Sequence, residues 1–273
     1  MATSDPVRIL IACTMKSGST FVAKALAEYF GIEAAAPLVY WGRREQNLDP
    51  WHFRDRAGAP FIFQMHIKPF VPHVELLTRE GVQVVWLRRN LGDTLVSFDD
   101  HVARESHENP VGYIHDRGRY LALGRQQRYR YLIRHAIPWY LGFHLMWRGG
   151  VSGLSVIPAR YEEMVADPPR FFSALIAGAG LPVDEARLQS VLARDIPETR
   201  FNQGVNGRSA SLFSDETKRC LEEMLLDHPE DLSDLWSELP WRLAEAPVPT
   251  DPARPVARKS RHPGQPASLA ALI

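Results

Sequence analysis

Cysteine is scarce in this chain: Cys13 and Cys220 stand alone, too few for a disulfide framework. Long hydrophobic runs are also missing. The longest aromatic-apolar stretch, IPWYLGFHLMW from Ile137 to Trp147, is roughly half of the ~20 residues that span a bilayer, so no transmembrane helix is expected. The start, MATSDPVRILIAC, has no charged segment followed by a long apolar stretch and a cleavage site, which together with the cysteine count gives a cytoplasmic expectation. Net charge is absent too: 32 Lys and Arg balance 32 Asp and Glu. No global field therefore draws the chain to nucleic acid or anionic lipid, and any anion site must be built locally. No internal repeat is visible.

What is present is the material of a core. With 273 residues, 45% hydrophobic and 23% charged, the chain can bury one large α/β domain. Val7 to Cys13 is an almost unbroken apolar run, suited to a parallel strand covered on both faces. Phe21, Val22, Ala25, Leu26, Tyr29 and Phe30 then fall on one helical stripe, with Gly31 as the stop. The alternation recurs: a strand at FIFQMH, a helix from Val71 to Arg79, a strand at VQVVWL (82–87) and a helix from about Asp93 to Ala103. GLSVIPARYEEM reads as strand and turn, DPPRFFSALIAGAGL as a capped helix, and Ser214 with Asp215 and Glu216 as the start of another. Strands alternating with helices imply βαβ units, with ligand sites at the carboxyl ends of the strands.

Two stretches have unusual composition. No acidic residue occurs between Asp116 and Glu162, while arginines accumulate and Tyr120, Tyr129, Tyr131 and Leu132 are interleaved. That segment reads either as a solvated helix face or as an acceptor-binding surface. From Ala246 onward Pro247, Pro249, Pro252, Pro255, Pro263 and Pro266 mix with basic residues, the composition of an extended appendage rather than a domain.

The chemistry is concentrated in KSGST, residues 16–20, between the first strand and the first helix. A glycine-bearing turn there leaves backbone N–H groups pointing outward where the helix dipole is positive, an anion seat. Lys16 adds a full charge, and Ser17, Ser19 and Thr20 add hydroxyls. The order differs from G-x-x-x-x-G-K-[ST], because the lysine precedes Gly18 and no glycine lies five residues before it. A second anion site is written in VVWLRRNLGDTLVSF: Arg89 ends a strand, and Ser97 follows eight residues later inside the next helix.

Together these motifs resemble those of sulfotransferases that use 3′-phosphoadenosine 5′-phosphosulfate (PAPS). KSGST resembles their 5′-phosphosulfate loop and the Arg89–Ser97 segment their 3′-phosphate motif. ARYEEMVADPPRFF and GVNGRSASLFSDET resemble a later strand-turn-helix and a closing glycine-arginine loop. The resemblance covers roughly residues 7–225. It implies a three-layer, P-loop-like α/β fold with a central, mainly parallel sheet. It also implies a PAPS site made of Lys16, Ser17, Gly18, Ser19, Thr20, Phe21, Arg89, Ser97, Tyr161, Gly207 and Arg208. Thr14, Met15 and Phe21 replace the Tyr-Pro and Trp usual in the cytosolic enzymes.

The implied reaction is in-line sulfuryl transfer to a hydroxyl or amine, with Lys16 neutralising the leaving oxygen and no metal required. His66 resembles the family's catalytic base, although Gln64 and Met65 replace the Lys-Thr pair before it; His101 is the reserve, and Lys68 could touch substrate. By this resemblance residues 1–245 form the catalytic domain, with a helical acceptor-binding cap around 108–150, and 246–273 the tail. The acceptor would be a small molecule, a glycan or a lipid-linked compound, with peripheral membrane contact open. Trp41, Trp51 and Phe53 are either acceptor-stacking or core. Two other readings remain: a P-loop nucleoside or small-molecule kinase, which would need Mg²⁺ and a carboxylate to hold it, and a non-catalytic regulator that binds adenosine 3′,5′-bisphosphate.

Overall fold

The computed structural model of the protein describes residues 6–32, 46–48, 50–55, 58–104, 113–194, 196 and 204–243. The proline-rich tail, Trp41 and the side chain of Trp51 lie outside them. In chain order the elements are β1 (Arg8–Cys13), α1 (Ser19–Phe30), α2 (Pro50–Asp55), β2 (Phe61–Met65), α3 (Val71–Arg79), β3 (Gln83–Arg88), α4 (Leu91–Arg104), α5 (Arg117–Ala122), α6 (Arg125–His135) and α7 (Ile137–Arg148). Then follow β4 (Val156–Arg160), α8 (Tyr161–Ala166), α9 (Pro168–Gly178), α10 (Glu185–Leu192), α11 (Arg208–Leu212), α12 (Asp215–Leu226) and α13 (Ser233–Ser237). No helix among the described residues is long and apolar enough to cross a membrane.

The four strands form one parallel sheet in the order β2-β1-β3-β4. Leu10 of β1 is in register with Phe63 of β2 on one side and Val84 of β3 on the other. Because strand side chains alternate, β1 serves two cores. Ile9, Ile11 and Cys13 join Val22, Leu26 and Phe172 of α1 and α9, whereas Leu10 and Ala12 join Leu77 of α3 and Phe143 and Trp147 of α7. Helices therefore cover both faces, the three-layer α/β arrangement expected, and the double burial explains why β1 reads as a continuous apolar run. A third cluster, including Leu95, Phe98, Tyr129, Leu132, Ile137 and Leu221, packs α4, α6, α7 and α12 together beside the sheet.

Caps follow the sequence signals. Gly31 closes α1 in the left-handed region, and Asp167 and Ser214 accept the Arg170 and Thr217 amides at the starts of α9 and α12. YEEM differs from expectation: it begins the short helix α8 rather than forming a turn. Phe53, 2% exposed, packs edge-on against Phe61 and Phe63, which assigns it to the core. The chain reverses its winding beside β1, so the carboxyl ends of β1 and β3 are the switch point of the sheet, where open α/β sheets place their ligand sites.

Helix α7 also buries a titrating group. His144 lies between Trp86 and Asp234, whose Oδ2 approaches Nε2 to 2.9 Å with poor hydrogen-bond alignment; Arg88 and Arg148 also bear on it. Burial outweighs the carboxylate and holds the imidazole down to about 4 against an ordinary 6.5. The folded state thus favours neutral His144, so its contribution is complete above about pH 6.5 and is lost as pH falls towards 4. Undiscounted, that gap corresponds to about 3 kcal/mol; solvent over Asp234 reduces the expected loss to about 1–2 kcal/mol. Urea unfolding at pH 7 and pH 5 should show a smaller acid loss in His144→Asn than in the parent, and equal losses would assign the acid sensitivity elsewhere.

Candidate active site

The loop after β1 turns on two left-handed residues. Lys16 has φ 66°, the one non-glycine with positive φ among the described residues, and Gly18 has φ 84°. Fixing Lys16 there costs about 1 kcal/mol or more, the sort of strain that clusters at functional sites. Ser17 is fully buried, and its hydroxyl donates to Thr14 O at 2.7 Å, so it stiffens the loop from inside. Gly18 caps α1 without a side-chain hydrogen bond, and the first turn of α1 holds no acidic residue. The Ser19 and Thr20 N–H groups have no intrahelical acceptor and meet no local carboxylate. Phe21 lies edge-on to Phe172 at 6.0 Å, on the side of the core.

Arg89 leaves the end of β3 and reaches this loop. Its Nη1 donates to Lys16 O at 3.2 Å and its Nη2 to Val205 O at 3.5 Å. The guanidinium lies 4.0 Å over the Tyr161 ring, is 8% exposed, and has no ion pair with a carboxylate among the described residues. Its Nε is buried without a partner. Burial pushes the Arg89 pKa down, opposed by Tyr161, Asp93 and Glu162. A guanidinium remains charged even so, and one whose hydrogen bonds among the described residues go to carbonyls can receive an anion. Tyr161 lies on Gly18 with its other neighbours: a Cβ at Gly18 would fall 2.8 Å from the Tyr161 ring. Gly18, Tyr161 and Arg89 are therefore in mutual contact, and the loop after β1 meets the end of β3 there.

At the end of β2, His66 Nδ1 donates to Cys13 O at 2.8 Å, with Cys13 Sγ 3.5 Å away. That bond fixes the tautomer and makes Nε2 the basic nitrogen. Gln64, two residues earlier on the same strand face, donates from Nε2 to Thr20 Oγ1 at 3.1 Å, tying β2 to the start of α1. Lys68 lies 5.5 Å over the Trp139 ring, and desolvation lowers its pKa. His101 is buried on α4.

The late glycine-arginine loop is held by residues that no sequence motif singled out. Asp93, fully buried in the first turn of α4, accepts from Gly207 N–H at 2.6 Å, Ser209 N–H at 2.8 Å and Ser209 Oγ at 2.7 Å. It is the N-terminal cap of α11, supplied by another helix. Asn90 donates to Asp93 at 3.2 Å and, through both its amide and its side chain, to Glu162 Oε1 at 2.9 and 2.8 Å. The sequence signal for Asp93 was a carboxylate at a helix start, indistinguishable from ordinary dipole compensation. Ser97 is buried on α4, while Arg208 Nη2 meets Asp100 Oδ2 at 2.7 Å.

Several cations of the arginine-rich segment are paired with carboxylates of neighbouring helices. Arg128 holds Asp99 with two nitrogens at 2.7 and 3.2 Å, Arg125 reaches Asp100 at 3.3 Å, and Arg130 pairs with Glu216 at 3.0 Å. These pairs bind α6 to α4 and α12.

No protein-family model and no curated protein match the chain. Solved structures do. Mouse sulfotransferase SULT7A1 complexed with PAP superposes with a TM-score of 0.60 at 15% identity, over 86% of this chain and 88% of that one. Retinol dehydratase in complex with androsterone and inactive cofactor PAP gives a TM-score of 0.54 at 11% identity, over 82% of this chain and 81% of that one. The chain has a sulfotransferase-like fold.

Proposed function

We propose that the protein transfers a sulfuryl group from PAPS to a hydroxyl or amine of a small-molecule, glycan or lipid-linked acceptor by in-line displacement. The observation that carries this reading is the Arg89 guanidinium: buried, without an ion-paired carboxylate among the described residues, and hydrogen-bonded to Lys16 O. One nucleotide with anionic groups at both ends can engage the loop at Lys16 and the arginine at once. The buried, unpartnered Arg89 Nε marks a receptor that suits such a ligand. PAP, adenosine 3′,5′-bisphosphate, accompanies both structural neighbours, which supports PAPS as the donor.

When bound, PAPS supplies an activated sulfuryl group on a nucleotide leaving group. In this reading Lys16 and the N–H groups of Ser17, Gly18, Ser19 and Thr20 hold the 5′ end, with Phe21 beside them. Arg89, Ser97, Gly207 and Arg208 hold the 3′-phosphate, and Tyr161 supports Arg89 from below. His66 accepts the acceptor's proton at Nε2, its ring oriented by Cys13 O. The Lys16 ammonium neutralises charge on the departing bridging oxygen. Cationic side chains supply the counter-charge that a metal supplies in kinases. Helices α5 to α7 form the acceptor-binding cap of a cytoplasmic enzyme.

A thermal-shift titration separates this from the kinase reading. At ~100 times Kd a ligand stabilises by about 2.7 kcal/mol, a rise of several degrees in Tm. Adenosine 3′,5′-bisphosphate should produce that rise, and ATP with Mg²⁺ a smaller one; the opposite order would move the chain to the kinases. Transfer of labelled sulfate from PAPS to an acceptor then distinguishes an enzyme from a regulator.

A further inference from the structure

Asp93, Ser97 and Asp100 lie on one face of α4 at i, i+4 and i+7. The first caps the glycine-arginine loop, and the last grips its arginine: Arg208 Nη2 and Asp100 Oδ2 are 2.7 Å apart, with side chains 13% and 18% exposed. Arg208 also lies within electrostatic reach of Arg89 and disfavours its charged form. Of these two guanidiniums Arg89 has no ion-paired carboxylate among the described residues, and Arg208 has Asp100.

We propose that Asp100 competes with the 3′-phosphate of the bound nucleotide for Arg208 and so limits how tightly a 3′-phosphorylated nucleotide is held; this rests on the sulfotransferase reading. A phosphate received by Arg89 and Arg208 meets the Asp100 carboxylate on the same guanidinium, a like charge at close range in a partly buried setting. Exchange is cheap for Asp100, because Arg125 Nη2 stands 3.3 Å from its other oxygen and stays behind as counter-ion when Arg208 turns away. Arg125 is 44% exposed, so solvent also reaches that pair. Arg208 therefore has two stable arrangements, one on Asp100 and one on phosphate, and neither leaves a buried charge without a partner. The return of Arg208 to Asp100 assists departure of the spent nucleotide, a step that limits turnover in many enzymes.

The test is calorimetric binding of adenosine 3′,5′-bisphosphate and of adenosine 5′-phosphate to the full chain and to Asp100→Asn, which keeps the hydrogen-bond acceptor and removes the charge. Affinity for the bisphosphate should rise about tenfold, with affinity for the 5′-phosphate unchanged. In an Arg208→Met background the same substitution should have no effect, because the competition has lost its object. Asp100→Ser provides a second removal of the carboxylate should the asparagine variant melt early. Bisphosphate binding that is unchanged or weaker in Asp100→Asn overturns the inference, as does an equal gain for both nucleotides or a gain that persists without Arg208. A parent chain that binds the two nucleotides equally would instead overturn recognition of the 3′-phosphate itself, and this inference with it.

Discussion

Alanine in place of His66 is expected to reduce sulfuryl-transfer turnover at least ~10²-fold, the low end for loss of a positioned acid–base group, while affinity for adenosine 3′,5′-bisphosphate changes less than about twofold. The reason is local. His66 follows the last residue of β2, and its Nδ1–H is committed to Cys13 O at 2.8 Å, so the ring is oriented by the backbone of the neighbouring strand. That commitment leaves proton acceptance to Nε2. Asparagine at 66 offers a sharper comparison than alanine, because its amide can still donate towards Cys13 O but cannot accept a proton at neutral pH. Both variants should fail alike if His66 is the base, whereas recovery in asparagine would assign it an orienting role. His101 is the competing candidate: it is 9% exposed, on α4, one residue beyond Asp100. Near-normal turnover in His66→Ala together with collapse in His101→Ala would transfer the role.

How much of this was legible beforehand depends on whether a contact is local in the chain. Residues 7–31 were readable because an apolar run, a glycine turn and a helical stripe act within one short segment, and the structure places β1, the left-handed Gly18 and α1 there. The helix from Val71 to Arg79 was readable for the same reason. Arg89 was visible as a charge ending a strand. Its stacking on Tyr161 was not, because β3 and β4 are brought side by side only by the sheet, with Arg88 in register with Arg160. Asp93 was hidden in plain view: a carboxylate in a first helical turn satisfies its own helix in most proteins, and here it serves Gly207 and Ser209, 114 and 116 positions away. The pairing of the arginine-rich stretch was not legible because its counter-ions, Asp99, Asp100 and Glu216, all lie outside it. Local composition reports charge, and only the fold reports pairing.

Gly18→Ala should be the most damaging substitution that removes no functional group. Two separate costs arise. The φ of 84° is left-handed, worth about 1–2 kcal/mol for a residue with a Cβ. The new Cβ would also lie 2.8 and 2.9 Å from Tyr161 Cδ2 and Cε2, closer than carbon atoms approach. Tyr161 is 4% exposed and has the Arg89 guanidinium 4.0 Å over its ring, so it cannot swing aside without carrying Arg89 along. If the loop yields instead, the N–H groups of Ser19 and Thr20 are displaced. Either response disturbs one end of the proposed nucleotide site, and binding of adenosine 3′,5′-bisphosphate should weaken at least ~30-fold, the equivalent of about 2 kcal/mol. Gly81 supplies the control: its φ is 63°, and a Cβ there meets nothing within 4 Å. Gly81→Ala bears the backbone cost alone and should lower unfolding free energy by about 1–2 kcal/mol with nucleotide affinity intact. Trimming the ring in Gly18→Ala/Tyr161→Leu should recover stability relative to Gly18→Ala, since the clash is removed. Equal nucleotide affinity in Gly18→Ala and Gly81→Ala would mean that the Gly18–Tyr161–Arg89 contact does not govern the proposed nucleotide site, and any coupling between its two proposed ends would have to run through another contact.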